Sequence, residues 1–232
     1  MRNEVELYIV NLQTEIAADL FAILSPDEKK FAQAIRNQAL KNQHIAVRVG
    51  LRQILAAYLN QAGDKINIAR TIHGKPYLLD YPEIQFNISH SAETLLVAIS
   101  KAGAIGVDIE QTQAQRRDFS ALVAKCFAQS EQNYWNSLPE TEKAAEFYRF
   151  WTRKEAFVKA VGRGLAMGLQ QCEIASAAPP YFLSLPEIYG LPSDWRLFDL
   201  SVTADLCGAL VIENKYISAN FTLPDIALFE IK

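Results

Sequence analysis

Apolar positions recur at helical spacing in two long stretches and alternate in shorter ones after each. Val5 to Val10 alternates and reads as a strand. Ser25-Pro26-Asp27-Glu28 starts a helix: Ser25 caps, Pro26 suits the first helical position, and Glu28 completes a capping box. The helical pattern runs to about Asn60, with a break near Asn37 and Gly63 as its stop. Val47, Leu51, Ile54, Leu55 and Tyr58 make its core face, while His44, Arg48 and Arg52 fall on another. Strands are predicted at 65–69, 84–88, 94–99 and 104–110, with Gly74-Lys75-Pro76 as a tight turn. The second half repeats this order. Helix begins near Phe119, and a capping box at Ser137-Leu138-Pro139-Glu140 opens a long helix to Val161, which Gly162-Arg163-Gly164 ends. Strands follow at 172–175, 181–185, 195–200, 206–213 and 216–221. Leu24-Ser25-Pro26-Asp27-Glu28 and Phe127-Ala128-Gln129-Ser130-Glu131 look alike, and each precedes a long helix. The chain therefore reads as two similar α+β lobes, residues 1–105 and 106–232, each a long helix on a mainly antiparallel sheet.

Composition narrows the function. The 232 residues suffice for two lobes with real cores, and 50% hydrophobic content with 21% charge is ordinary globular composition. A net charge of −3 offers no global field for nucleic acid, so any phosphate-binding patch must be local. Cys126, Cys172 and Cys207 are widely spaced and form no CxxC pair, which points to buried thiols in a reduced, cytoplasmic protein. No apolar run approaches the roughly 20 residues of a membrane span, and the first residues lack a signal-peptide core.

Two acidic sites stand out. Asp108 and Glu110, at i and i+2 of a strand, put two carboxylates on one side of an otherwise apolar run. Such a pair repels itself unless a cation sits between, and oxygen ligands without Cys or His favour Mg²⁺; the bland reading is a solvated strand end. In Phe150-Trp151-Thr152-Arg153-Lys154-Glu155-Ala156-Phe157-Val158-Lys159, helical spacing aligns Trp151, Glu155 and Lys159. Glu155 and Lys159 then read as an i, i+4 ion pair on a partly buried helix, with Trp151 anchoring that face in the core and Lys154 solvated or at a phosphate. Arg48, Arg52, Lys75 and His90 sit on a helix or at turns and strand ends, where ligands bind. Lys29 and Lys30 lie in a first helical turn that favours anions. Each is an ordinary charge singly; together they point to a phosphate-rich ligand.

Four segments, Gly74-Lys75-Pro76-Tyr77, Phe86-Asn87-Ile88-Ser89-His90-Ser91, Ile105-Gly106-Val107-Asp108-Ile109-Glu110 and Phe150-Trp151-Thr152-Arg153-Lys154-Glu155-Ala156 with Lys159 and Gly162-Arg163-Gly164-Leu165, appear in one order. In this the chain resembles the two-lobed 4′-phosphopantetheinyl transferases, the type that activates surfactin synthetase. The resemblance spans about residues 5–220. It implies two pseudo-twofold-related lobes with coenzyme A in the cleft between them, and transfer of its phosphopantetheine arm to a serine of an acyl, peptidyl or aryl carrier domain. By resemblance, Asp108, Glu110 and Glu155 match Mg²⁺ ligands, with Mn²⁺ as a substitute, and Glu155 also the general base, acting either directly or through a metal-bound water. Lys159 matches the lysine near the pyrophosphate. Lys75 with Pro76, and Ser89 with His90, match groups that hold the adenosine and its 3′-phosphate. Arg48 and Arg52 match basic first-lobe positions. A monomer is expected, because one chain supplies both lobes. Arg116, Arg117 and Lys125 are candidates for an acidic carrier domain. Two other readings stay open: a Mg²⁺-dependent nucleotide phosphohydrolase, and a non-catalytic module that grips coenzyme A or a carrier.

Overall fold

The structure is a computed structural model and describes residues 4–12, 16–112, 118–164, 168–218 and 221–231. Its first half runs β1 (Val5–Asn11), α1 (Pro26–Ala34), α2 (Gln38–Leu59), β2 (Ile68–Arg70), β3 (Pro76–Leu78), β4 (Gln85–Ser91) and β5 (Thr94–Ser100). Its second runs β6 (Ile105–Gln111), α3 (Ser120–Cys126), α4 (Gln129–Ser137), α5 (Glu140–Val161), β7 (Glu173–Ile174), β8 (Phe182–Ser184), β9 (Trp195–Thr203), β10 (Leu206–Glu213) and β11 (Ile226–Leu228). One sheet has the order β11-β1-β5-β4 and the other β6-β10-β9. All neighbours pair antiparallel except β11, which lies parallel to β1. So the last strand crosses the boundary expected at 105/106 and adds to the first half's sheet.

Strand alternation explains the layers. Leu95, Val97 and Ile99 face one way and pack with Val47, Leu51, Ile54 and Leu55 of α2. Leu96 and Ala98 face the other way, into a core shared with Ile105, Val107 and Ile109 of β6 and Leu210 and Ile212 of β10. Ala209 and Val211 of β10 turn to Phe157 and Ala160 of α5. The result is helix, sheet, sheet, helix, with three buried apolar layers between. Both faces of the central strands are covered, which is why β5 and β10 read as near-continuous apolar runs.

The likeness between the halves has a physical basis. Glu28, at the third position of α1, accepts from the Ser25 N–H at 2.9 Å and pairs with Arg52 of α2 at 2.6 Å. Glu131, at the third position of α4, accepts from the Ala128 N–H at 2.7 Å and pairs with Lys154 of α5 at 2.8 Å. Each cation also donates to carbonyls beyond its helix: Arg52 to Gly63 and Ile66, Lys154 to Leu169 and Cys172. Both long helices have 22 residues and end in a left-handed residue, Asn60 and Gly162. Lys154 is therefore fully buried in an ion pair, not solvated or held for phosphate.

Several boundaries differ from expectation. Asn60, not Gly63, stops α2, because its left-handed conformation (φ 55°) closes the last turn. The break near Asn37 is a new helix start, where the Asn37 side chain accepts from the Leu40 N–H. The box at Ser137 does not form: Pro139 is the cap of α5, and Ser137 donates to the Tyr134 carbonyl. Lys75-Pro76 leads into strand β3, paired with β2, so the tight turn ends earlier, at Gly74 (φ 86°). A 3-10 turn, Asn214–Tyr216, begins the segment expected to be a strand at 216–221.

The close approach that matters most is β6 on α5. A Cβ on Gly106 would run into the Ala156 carbonyl and the Ala160 N–H, both main-chain groups with no room to give. Gly106→Ala is therefore expected to destabilise by about 1–3 kcal/mol or more. Strand and helix must part to admit the methyl group; an unchanged melting temperature would refute this packing.

Candidate active site

Because Ile105, Val107 and Ile109 point into the core between the sheets, Gly106, Asp108 and Glu110 must point to α5. Gly106 lets the helix come close, and Glu155 and Lys159 stand on the helix face that meets them. These side chains, with Ser89, His90 and Trp151, line a cavity of about 360 Å³. A second hollow of about 250 Å³ shares Glu155 and Lys159 and continues past Asn87 to Lys75 and Pro76. Two roomier hollows, about 1000 and 750 Å³, lie elsewhere and are lined by none of these carboxylates. Chemistry, not size, selects the site.

Asp108 is 4% exposed. Its Oδ1 accepts from Lys159 Nζ at 2.6 Å and from Ser89 Oγ at 2.9 Å, and Ser89 Oγ accepts from Lys159 at 2.9 Å. Asp108 Oδ2 and Glu155 Oε1 are both buried with no hydrogen-bond partner. Burial pushes the Asp108 carboxyl up, against the pull of Lys159 and Ser89. Glu155 is pushed up to about 7 by burial and then by Asp108, with a smaller push from Glu110 and an opposing pull from Lys159. Three carboxylates thus face one ammonium group, a field that favours further positive charge, including a proton on Glu155. Among the described residues, no three His, Cys, Asp or Glu side chains converge closely enough to hold a metal ion by themselves. Lys159 pairs with Asp108 rather than with Glu155 as the helical spacing implies. Trp151 is partly buried: it packs against the core of the second half, stacking on Phe147 at 5.7 Å, and also lines the cavity.

The first half adds a cationic patch. His90 stands on the opposite face of β4 from Ser89; burial, then Lys159 and Arg48, lower its pKa. Arg48 is lowered by burial and then by Arg70 and Arg52, against Glu28. His44 is lowered by burial and then Arg48, with smaller contributions from His90 and Arg70, and its Nε2 is buried without a partner. Burial is the largest cause for each, and Glu28 is the carboxylate that opposes the shift at Arg48 and His44, so the two arginines keep a net positive local charge that suits an anion. His44 and Arg70 were not among the residues expected at the site. The four-residue spacing from His44 to Arg48 was visible, but Arg70 reaches the patch only through the β2–β3 hairpin.

Other expected residues have different partners. Arg52 is 2% exposed, and its donors go to Glu28, Gly63 and Ile66, so it ties α1 and the turn after α2 to the helix rather than holding a cofactor. Lys75 crosses between the halves and donates to the carbonyls of Ala160 at 2.6 Å and Ile105 at 3.3 Å. Burial lowers it to about 8. Ser89 is buried against Asp108. Lys29 donates to the Ala22 carbonyl, and Lys30 is exposed. Lys125 is exposed in the last turn of α3. Arg116 and Arg117 lie outside the described residues.

Fold and site together define a two-half α+β protein in which an acidic centre on one half meets a cationic patch on the other. Residues 104–211 match the model of the 4′-phosphopantetheinyl transferase superfamily, and residues 13–102 match that of the 4′-phosphopantetheinyl transferase N-terminal region. The chain is 34% identical to the 4′-phosphopantetheinyl transferase HetI of Nostoc sp., over 83% of this chain and 79% of that protein. It is 32% identical to the L-aminoadipate-semialdehyde dehydrogenase-phosphopantetheinyl transferase of Xenopus laevis, over 62% of this chain and 51% of that one. A holo-[acyl-carrier-protein] synthase from Thermotoga maritima aligns with a TM-score of 0.38 and 17% identity, covering 48% of this chain and 63% of that one. The chain belongs to the 4′-phosphopantetheinyl transferase family and is an enzyme of that family. Among the described residues, no helix is long and apolar enough to cross a membrane.

Proposed function

We propose that this protein transfers the 4′-phosphopantetheine arm of coenzyme A to a serine hydroxyl of an acyl, peptidyl or aryl carrier domain, with Mg²⁺, and releases adenosine 3′,5′-bisphosphate. The observation that supports it most is the pair of bare, buried oxygens, Asp108 Oδ2 and Glu155 Oε1, beside Lys159. These hard oxygens suit Mg²⁺, which is commonly held by one or two carboxylates and completed by substrate phosphates, so no all-protein cage is needed. Asp108 and Glu155 would hold the ion, with Glu110 beside them. When bound, the ion supplies charge neutralisation to the pyrophosphate oxygens.

The chain's own groups do the rest. Arg48 and Arg70 offer the positive field for the 3′-phosphate end, and the neutral imidazoles of His90 and His44 can add hydrogen bonds. Lys159 holds Asp108 in place and stands at the pyrophosphate. Glu155, with a pKa near neutrality, takes the proton of the carrier serine. The serine oxygen bonds to the phosphorus that carries pantetheine, and the bond from that phosphorus to the bridging oxygen breaks. The bond electrons leave with adenosine 3′,5′-bisphosphate. Positioning and charge neutralisation dominate, as phosphoryl transfer requires.

Incubation with coenzyme A, Mg²⁺ and an apo carrier protein should add roughly 340 Da, the mass of the arm, to the carrier. A phosphohydrolase would instead release product without any carrier, and a binding module would change no mass. Asp108→Ala should abolish the mass gain while keeping the fold; full transfer by that variant would overturn the assignment.

A further inference from the structure

β4 and β6 are edge strands of different sheets, and no main-chain pairing joins them among the described residues. Yet they meet inside the molecule. The free N–H groups along β6 are met by side chains of β4. The Val107 N–H donates to Asn87 Oδ1 at 3.0 Å, the Ile109 N–H to Ser89 Oγ at 3.2 Å, and the Gln111 N–H to Ser91 Oγ at 2.9 Å. Buried edge N–H groups need acceptors, which explains three polar residues on the face of β4 that looks into the core between the sheets. Ser89 is fully engaged: it accepts from Ile109 and Lys159 and gives its single proton to Asp108 Oδ1.

We infer that Asn87, Ser89 and Ser91 form a positioning ladder that sets the register between the two halves of the active site. Its two-residue repeat matches the strand period, so it specifies one alignment between strands that share no main-chain bonds. A slip by one rung would carry Asp108 and Glu110 about 7 Å along the seam, away from His90. Ser89, at the middle rung, also fixes the Asp108 carboxylate through Oδ1, and Oδ2 stays bare. The kinetic part rests on the transferase reading; the structural part does not.

Ser91 touches none of the carboxylates, so its variants test the ladder and not the chemistry. In Ser91→Ala, hydrogen exchange at the Gln111 amide should rise at least about tenfold. The kcat for transfer should fall roughly 10–100-fold, while KM for coenzyme A moves less than about threefold. Ser91→Thr keeps the acceptor and should restore both readouts. Asn87→Leu, at the other end, should speed exchange at Val107 and lower kcat in the same way. Unchanged exchange overturns the ladder. Faster exchange with full kcat makes it a structural seam only, and also overturns the proposal. A wild-type protein that transfers nothing would overturn the transferase reading instead, and exchange by itself would then decide whether the ladder exists.

Discussion

Glu155→Gln is expected to lose about 10²–10⁴ in transfer rate, and at the same time to make the metal-free protein more stable at pH 8. Both effects come from one cause. Burial, with Asp108 and Glu110 near, raises the Glu155 carboxyl from 4.5 to about 7. A raised acid holds its proton in the folded state after the unfolded chain has lost it, so wild-type stability falls as pH rises between those values. Below about pH 4.5 both states are protonated and the glutamine gains nothing. Above pH 7 it removes the whole penalty, up to about 3 kcal/mol for a shift from 4.5 to about 7. Urea denaturation at pH 5 and pH 8, with chelator present, checks the difference. A gain equal at both pH values would refute the electrostatic account, and retention of more than a tenth of the activity would refute the base.

The second large effect concerns the buried cations. Lys154→Met should leave Glu131 without its counter-ion at 2% exposure, and the Leu169 and Cys172 carbonyls without their donor. Removing one partner of such a pair typically costs about 3–5 kcal/mol. In a chain of this size, that lowers the melting temperature by roughly 6–20 °C. Arg52→Met should do the same in the first half, where Glu28, Gly63 and Ile66 lose their partner. Its folded fraction should still bind coenzyme A with unchanged affinity, while Arg48→Met weakens binding. A stable Arg52→Met protein with lost affinity would return Arg52 to the ligand site.

These pairs show how far the sequence could be read. The resemblance between Ser25-Pro26-Asp27-Glu28 and Ala128-Gln129-Ser130-Glu131 was visible, and so was the helix start at Ser25. Their purpose was not, because the partner of each glutamate lies far along the chain, in the long helix. Arg52 reads as a ligand-facing charge and Lys154 as solvated or at a phosphate, since a charged residue on a helix gives no sign of burial until a specific acid and specific carbonyls surround it. Asn87, Ser89 and Ser91 posed the same problem in a strand. Polar residues at every second position suggest a solvated face, but here that face meets another strand's open edge.

By itself, the sequence determined the α+β order, the strand that carries Asp108 and Glu110, the helix that carries Glu155 and Lys159, and the family. Those follow from local periodicity and from residues close in the chain. Only the tertiary structure decided that the two acidic sites meet, because that depends on Gly106 admitting α5 against β6. It also decided that Lys159 pairs with Asp108 and not with Glu155 one turn away. Neighbours on a helix compete with partners across the fold. A buried carboxylate, deprived of water, takes the ammonium that desolvation makes most valuable.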